Sequence, residues 1–318
     1  MVAEEGFTLE DIIEREEVVL FDSSICNLRS FSGEFKNIAF GFNPDCIASD
    51  CDMIEEISAI LEEDGPNKIY TIKKVVEELK QTDTMIRSRL KEINDRIKIA
   101  KKEKRKYHVI DKETYDLLSK LAWEINKLMK SLKKVCYDSK IQGEEKRVYN
   151  LFNELIKLFG KYFKPLKLKK QRQKGIARRK RDQGSQTDEL LIATAYHIAM
   201  FRKKRTAIIT EDADFFYLVR IGHRLLMAED LDFENKDCFR RILNEYPITI
   251  YLLANSSSDM GSSRRFLDKL RTNEIVPAQE FKIYTIRTDD GNANVKMFVE
   301  RILNSITKVL CSPLHLYL

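Results

Sequence analysis

Short β-rich apolar runs that close on acidic residues, with helical stretches between them, constrain this chain more than any other feature. Thr206-Ala207-Ile208-Ile209 reads as a buried strand, and Thr210-Glu211-Asp212-Ala213-Asp214-Phe215 follows it directly. Val18-Val19-Leu20-Phe21 reads the same way, with Asp22-Ser23-Ser24 next in line. Lys68-Ile69-Tyr70-Thr71-Ile72 has strand character, and Val75-Val76-Glu77-Glu78-Leu79 begins a helix behind it. Ile248-Thr249-Ile250-Tyr251-Leu252-Leu253 is a further strand and Phe281–Ile286 another. A final amphipathic helix covers about residues 294–309. Strands interleaved with helices predict an α/β fold whose central sheet is mostly parallel and covered on both faces.

The acids gain meaning from where those runs place them. In open α/β sheets, ligands and chemistry collect beyond the carboxyl ends of the strands. Asp22, Asp212 and Asp214 fall just past such ends. Asp188, in Ser185-Gln186-Thr187-Asp188-Glu189-Leu190, opens a strongly apolar helix, and a carboxylate in a first helical turn is favoured by the macrodipole. Any one of these acids is explicable as a cap or a solvated charge. Crowded at one sheet edge, they repel one another unless a cation or a shared proton compensates them. A shell of carboxylates alone suits Mg²⁺ or Mn²⁺, which prefer oxygen ligands and keep several waters.

The ordered series Asp22, Glu78, Asp188, Asp212 resembles the acidic signature of the PIN-domain nucleases. Leu20-Phe21-Asp22-Ser23-Ser24 matches their aspartate after the first strand, and Val76-Glu77-Glu78-Leu79 their glutamate in a V-x-E-L helix start. Thr187-Asp188-Glu189-Leu190-Leu191-Ile192-Ala193 matches the aspartate opening a later helix, and Thr210–Phe215 the closing T-x-D-x-D-F. The resemblance covers roughly residues 15–80 and 185–255. It implies a three-layer PIN-like domain in which Asp22, Glu78, Asp188 and Asp212 are catalytic metal ligands for Mg²⁺ or Mn²⁺. Asp214 would be an auxiliary metal ligand, and the hydroxyls of Ser24 and Thr210 would orient carboxylates or a metal-bound water. Of the neighbours Glu77 and Glu78, the family pattern favours Glu78, because Leu79 follows it. The implied reaction is endonucleolytic hydrolysis of RNA phosphodiesters, with RNA favoured over DNA. One departure stands out: about a hundred residues separate the second acid from the third, where compact members have a few tens.

That separation is filled by a segment of different character. Ile86, Leu90, Ile93 and Ile97 recur at helical spacing, as do Leu118, Leu121, Ile125, Leu128, Leu132 and Val135. Val148, Leu151, Phe152, Leu155, Leu158, Phe159 and Phe163 form a third, wider stripe. Breaks fall near Lys101–Tyr107 and at Gln142-Gly143, and Asp111 is a candidate N-cap of the middle helix. Residues 81–163 thus read as a helical, coiled-coil-like insertion projecting from a discontinuous domain of residues 1–80 and 185–318. Two uses are open to it: packing of its helices on each other, or a surface for a second copy or a protein partner. Trp123 lies on the middle helix.

From Lys164 to Arg181 the chain carries ten Lys or Arg and no acid, inside a linker of residues 164–184. The net charge is +6, so the remainder of the chain is acidic by about four. Lys169, Lys170, Arg172, Lys174, Arg178, Arg179, Lys180 and Arg181 are candidate contacts for a phosphate backbone. A cationic arm beside an acidic pocket would attract a polyanion, while metal ions neutralise carboxylates and phosphate at the centre. The bland alternative is a solvated connector.

Composition narrows the remaining classes. At 318 residues, 33% charged and 43% apolar, the chain can build a proper core and is not a disordered polyelectrolyte. No apolar run is long enough to span a membrane, and the acidic N-terminus lacks a signal core, so cytoplasmic location is the default. The six cysteines lack C-x-x-C spacing and read as reduced thiols. His108, His197, His223 and His315 lie apart from one another and from the acids, so none is assigned catalysis. No phosphate-binding glycine loop appears. Two alternatives to the ribonuclease stay open: a non-catalytic PIN-like module binding RNA or protein through its helices, and a 5′-nuclease-like enzyme acting on DNA.

Overall fold

The computed structural model describes residues 9–26, 44–63, 65–103, 112–173, 187–210, 231–254, 265–271 and 292–311, with scattered positions between 215 and 229. Its centre is a five-stranded sheet in the order β2-β1-β3-β4-β5. The strands are β1 (Val18–Phe21), β2 (Ile69–Tyr70), β3 (Thr206–Thr210), β4 (Ile248–Ala254) and β5 (Arg265–Arg271). β1 to β4 are parallel, and β5 pairs antiparallel with β4. Every residue of β1 and of β3 is buried. Successive strand residues face opposite sides, so both faces of the sheet are covered. The mixed α/β, mostly parallel expectation is met.

The helices are α1 (Leu9–Arg15), α2 (Pro44–Glu63), the single turn α3 (Gly65–Lys68), α4 (Lys73–Glu103), α5 (Lys112–Lys134), α6 (Gly143–Gln173), α7 (Thr187–Phe201), α8 (Lys236–Glu245) and α9 (Asn292–Leu310). Local chemistry explains several of their ends. Asp138, 65 residues away in sequence, accepts a hydrogen bond from the Lys73 amide at 3.1 Å and so caps α4. Gly143 opens α6 with φ +56°, a left-handed backbone that glycine adopts at no steric cost. That is the break expected at Gln142-Gly143.

The expected domain boundaries do not coincide with breaks in the fold. Position 80–81 lies inside α4 and position 163–164 inside α6. Of the helices between them, α5 packs against α2 and α4, and α6 against α7. α2 runs alongside α5 and supplies the partner for its seam. Cys51, Glu55 and Glu62 meet Leu117, Lys120 and Lys127, through a thiol bond to the Leu117 carbonyl at 3.8 Å and ion pairs of 2.7 and 3.6 Å. Both sets of positions advance together, so the two helices are parallel and the ion pairs repeat one heptad apart. α2 contributes Ile47, Cys51, Ile54, Ser58 and Leu61, and α5 contributes Leu118, Leu121, Ile125, Leu128 and Leu132, with Val135 just beyond its end, all buried. The apolar stripe of α5 is therefore satisfied within the chain. It is not a free face for a second subunit.

After α5 the chain returns to the sheet. The Thr71 amide donates to Val135 at 3.2 Å, and the Tyr137 amide to Thr71 at 2.8 Å, adding a parallel bridge outside β2. α6 then packs antiparallel on α7, with Glu145 beside Arg202 and Tyr149 beside Thr194. Phe152 stacks on Tyr196 at 6.3 Å. Helical and strand residues join one continuous hydrophobic core. Trp123 stands apart from it at 60% exposure.

Some expectations lie outside the described residues: the strand at Phe281–Ile286, the cap at Asp111, and His108 and His315. His197 is fully buried, with Nδ1 2.8 Å from the Tyr137 hydroxyl, and burial holds its pKa down to about 3. His223 is also buried, which lowers its pKa. Both are buried in the core. All six cysteines are free thiols. Among the described residues, no helix is long and apolar enough to cross a membrane.

Candidate functional site

Asp22 is the first residue after β1, and its amide donates to the Ile209 carbonyl of β3 at 3.3 Å. Parallel pairing sets Phe21 against Ile209, which brings Thr210, the last residue of β3, level with Asp22. Their side chains meet: Thr210 Oγ1 donates to Asp22 Oδ2 at 2.9 Å. Ser24 Oγ donates to the same oxygen at 2.6 Å, with the Ser24 amide at 3.4 Å. Ser24 Oγ and Thr210 Oγ1 lie 3.2 Å apart. Each hydroxyl has one proton, and the carboxylate takes both, so that contact adds no third bond while Asp22 is ionised.

Asp22 is only 5% exposed. Burial pushes its carboxyl above the ordinary range, while hydroxyl bonds from Ser24 and Thr210 and the backbone amides of Ser23 and Ser24 pull it down. Desolvation is the largest of these influences, so the charged form is held at a cost. The hydroxyl donors converge on Oδ2, and Oδ1 takes neither of them.

The turn after Asp22 makes the next connection. Ser23–Cys26 is a 3-10 turn, and its adjacent serines serve different carboxylates. Ser24 holds Asp22, while Ser23 Oγ donates to Glu78 Oε2 at 2.6 Å. The other oxygen of Glu78, Oε1, accepts from Thr187 Oγ1 at 2.5 Å. Thr187 is the first residue of α7 and is 1% exposed. Glu78 thus ties three elements together: the turn after β1, α4 and α7. Glu77 lies on the opposite side, 60% exposed and paired with Lys74 at 3.0 Å. Helical geometry separates neighbours by about a hundred degrees, so only one of the two faces the sheet edge. That one is Glu78.

Asp188 occupies the first turn of α7 beside Thr187 and is partly exposed. Among the described residues, no three of His, Cys, Asp and Glu lie close enough to hold one metal ion. Asp22, Glu78 and Asp188 therefore do not close the expected cluster by themselves. Asp212 and Asp214 lie outside the described residues. Of the basic candidates, Lys169, Lys170 and Arg172 fall on the last turns of α6, whereas Lys174, Arg178, Arg179, Lys180 and Arg181 lie outside the described residues. The linker expected from residue 164 is helical as far as Gln173.

Ser23 and Thr187 do not stand out in the sequence as site residues. Each sits next to an acid in the chain and so looks like a local cap. Their partner is 55 and 109 residues away. The motif contexts carry a signal, since Ser23 follows Asp22 and Thr187 precedes Asp188, but only the fold brings both to Glu78. Comparison with family models, with curated proteins and with solved structures finds no match.

Proposed function

We propose that the chain is a metal-dependent endoribonuclease with a PIN-like, three-layer catalytic domain. The observation that carries this reading is the pairing of Asp22 and Glu78 at the carboxyl edge of a parallel sheet, joined through the consecutive hydroxyls of Ser23 and Ser24. The donor set is oxygen throughout, which fits Mg²⁺ or Mn²⁺ and not a thiophilic metal. Asp22 and Glu78 would hold such an ion, with Asp188, Asp212 and Asp214 completing the shell that the sequence motifs suggest. When bound, the ion supplies water activation and stabilisation of phosphate charge.

The chain's own groups have separable tasks. Ser24 and Thr210 fix the orientation of Asp22 through Oδ2. Ser23 and Thr187 do the same for Glu78 from two sides. The basic segment brings the polyanion. In the antiparallel α6–α7 pair, Glu145 lies beside Arg202, so a residue near 160 of α6 comes level with Thr187. The rest of α6, to Gln173, extends about 20 Å past the start of α7 at 1.5 Å per residue. Arg181 is six residues from Thr187, a span of at most about 20 Å. The basic segment thus ends, at Arg181, a few residues of chain before the first turn of α7.

The deciding experiment is cleavage of single-stranded RNA by the full chain with Mg²⁺ or Mn²⁺, with Asp22→Asn as control. Activity that needs the ion and vanishes in the variant supports the reading; equal activity of parent and variant refutes it. One observation favours a second reading, a PIN-like module that binds RNA or a protein without cutting it: among the described residues no three acids come together as a metal site. RNA binding without ion-dependent cleavage would select it.

A further inference from the structure

Of the six thiols, Cys51 and Cys136 are buried and donate to the carbonyls of Leu117 and Leu132, at 3.8 and 3.4 Å. Cys238 and Cys311 differ. Both are partly exposed, and their side chains hydrogen-bond to each other. The fold brings them together in register. The Asp232 amide donates to Glu300 at 2.9 Å and the Glu234 amide to Asn304 at 2.7 Å, so the chain entering α8 follows α9 toward its end. The Cys311 amide donates to the Thr307 carbonyl at 2.9 Å, which continues the helical spacing one residue past α9. Glu300, Asn304 and Cys311 therefore share one face of that helix. Cys238, in the first turn of α8, meets Cys311 as the third contact of the series.

The two sulfurs are not equivalent. Burial, and then the hydrogen bond with Cys238, pushes the Cys311 thiol up to about 12, so it keeps its proton and donates it toward Cys238. Cys238 is the acceptor, and the amides at a helix N-terminus favour an anionic sulfur over a neutral one. We infer that Cys238 and Cys311 form a redox site: a small hydroperoxide oxidises them to a disulfide that fastens the end of α9 to the start of α8. The Cys238 sulfur attacks a peroxide oxygen, the O–O bond breaks, and the departing oxygen leaves as water or an alcohol with the thiol proton. The Cys311 sulfur then displaces the hydroxyl of the resulting sulfenic acid, and that hydroxyl leaves as water with the second thiol proton. Two thiols thus give up two electrons and one peroxide accepts them. A dithiol reverses the step by exchange. The site is independent of the acids at the sheet edge.

The test treats the full chain with one equivalent of hydrogen peroxide, alkylates the remaining thiols and maps the peptides by mass spectrometry without reduction. It compares the parent with Cys238→Ser, Cys311→Ser and Cys46→Ser, and circular dichroism checks that each is folded. The parent should lose two of its six thiols and yield a peptide pair joining Cys238 to Cys311, and dithiothreitol should restore both thiols. Closing a ring of about 70 residues should raise the melting midpoint of the oxidised parent by about 3–6 °C over the reduced one. Cys46→Ser should behave as the parent does. Cys311→Ser should stop at a sulfenic acid on Cys238, which dimedone traps, whereas Cys238→Ser should neither crosslink nor be trapped at Cys311. Six surviving thiols in the parent, a link to any other cysteine, or trapping at Cys311 instead overturns the inference. So does an oxidised parent that melts no higher than the reduced one.

Discussion

Truncating Leu128 to alanine removes a fully buried side chain from the α2–α5 seam. The register of the two helices sets it level with the end of α2, beside Leu61, and Ile125 and Leu132 flank it on α5, all buried, so the site has little freedom to collapse. Burying the lost methyl groups and filling the cavity together amount to about 3 kcal/mol, within the ~2–5 kcal/mol range of Leu→Ala changes. For a cooperative unit of 318 residues, an unfolding entropy of ~2.1 cal/mol/K per residue comes to about 0.7 kcal/mol/K, so the midpoint should fall by about 4–5 °C. Calorimetry and the 222 nm dichroism should record the same single transition, because the helices share one core with the sheet. Trp123→Ala, on the same helix but 60% exposed, should stay within about 0.5 kcal/mol of the parent. A Leu128→Ala protein that melts in two steps, with only the helical step displaced, would show the segment between residues 81 and 163 to be a separate body. Equal destabilisation by Leu128→Ala and Trp123→Ala would show that the face of α5 had been assigned wrongly.

The site and its surroundings give further expectations. Burial raises the folded-state pKa of Asp22 above its ordinary 3.8, so the folded protein binds the proton more tightly than the unfolded chain and stability falls as pH rises through that interval. Without metal, Asp22→Asn should therefore melt no lower than the parent at pH 7, with the advantage shrinking toward pH 4; a marked loss of stability at pH 7 would mean that the ionised form holds the fold together. Glu124, buried on α5 with Oε2 unpartnered among the described residues, has its pKa raised above 4.5, first by desolvation and then by Glu55. The same sign applies, so Glu124→Gln should gain on the parent as pH rises from 5 to 8 in melting experiments, and parallel pH curves would contradict it. Replacing Arg178, Arg179, Lys180 and Arg181 with alanine should weaken RNA binding irrespective of sequence. The slope of log affinity against log salt should shrink by about 0.7 for each single-strand phosphate no longer neutralised, and an unchanged slope would make the tract a mere connector.

Strands buried on both faces were legible, because β1 and β3 must be apolar at nearly every position and so appear as uninterrupted runs. β5 was not: as an antiparallel edge strand, Arg265–Arg271 mixes charge with apolar residues and offers no such run. The seam of α5 was visible, but periodicity states only that a helix has an apolar face, not what covers it. Its partner α2 hides the complementary stripe, because Asp50, Cys51 and Ser58 are among its buried positions. The motif favours Glu78 over Glu77; in the fold Glu78 accepts the hydroxyls of Ser23 and Thr187, while Glu77 is exposed beside Lys74. Those two hydroxyls were out of reach of any sequence argument, since their bonds span 55 and 109 residues.

The central claim is that Asp22 and Glu78 form the core of an ion-dependent hydrolytic site. Its most direct test is a time course of cleavage of an end-labelled single-stranded RNA by the full chain, with MnCl₂ or with EDTA, alongside Asp22→Asn and Glu78→Gln proteins that bind the RNA equally well. The account predicts internal cleavage by the parent with Mn²⁺ only, and intact RNA with either variant or with EDTA. Cleavage that persists in EDTA, or in both variants at the parental rate, would contradict it.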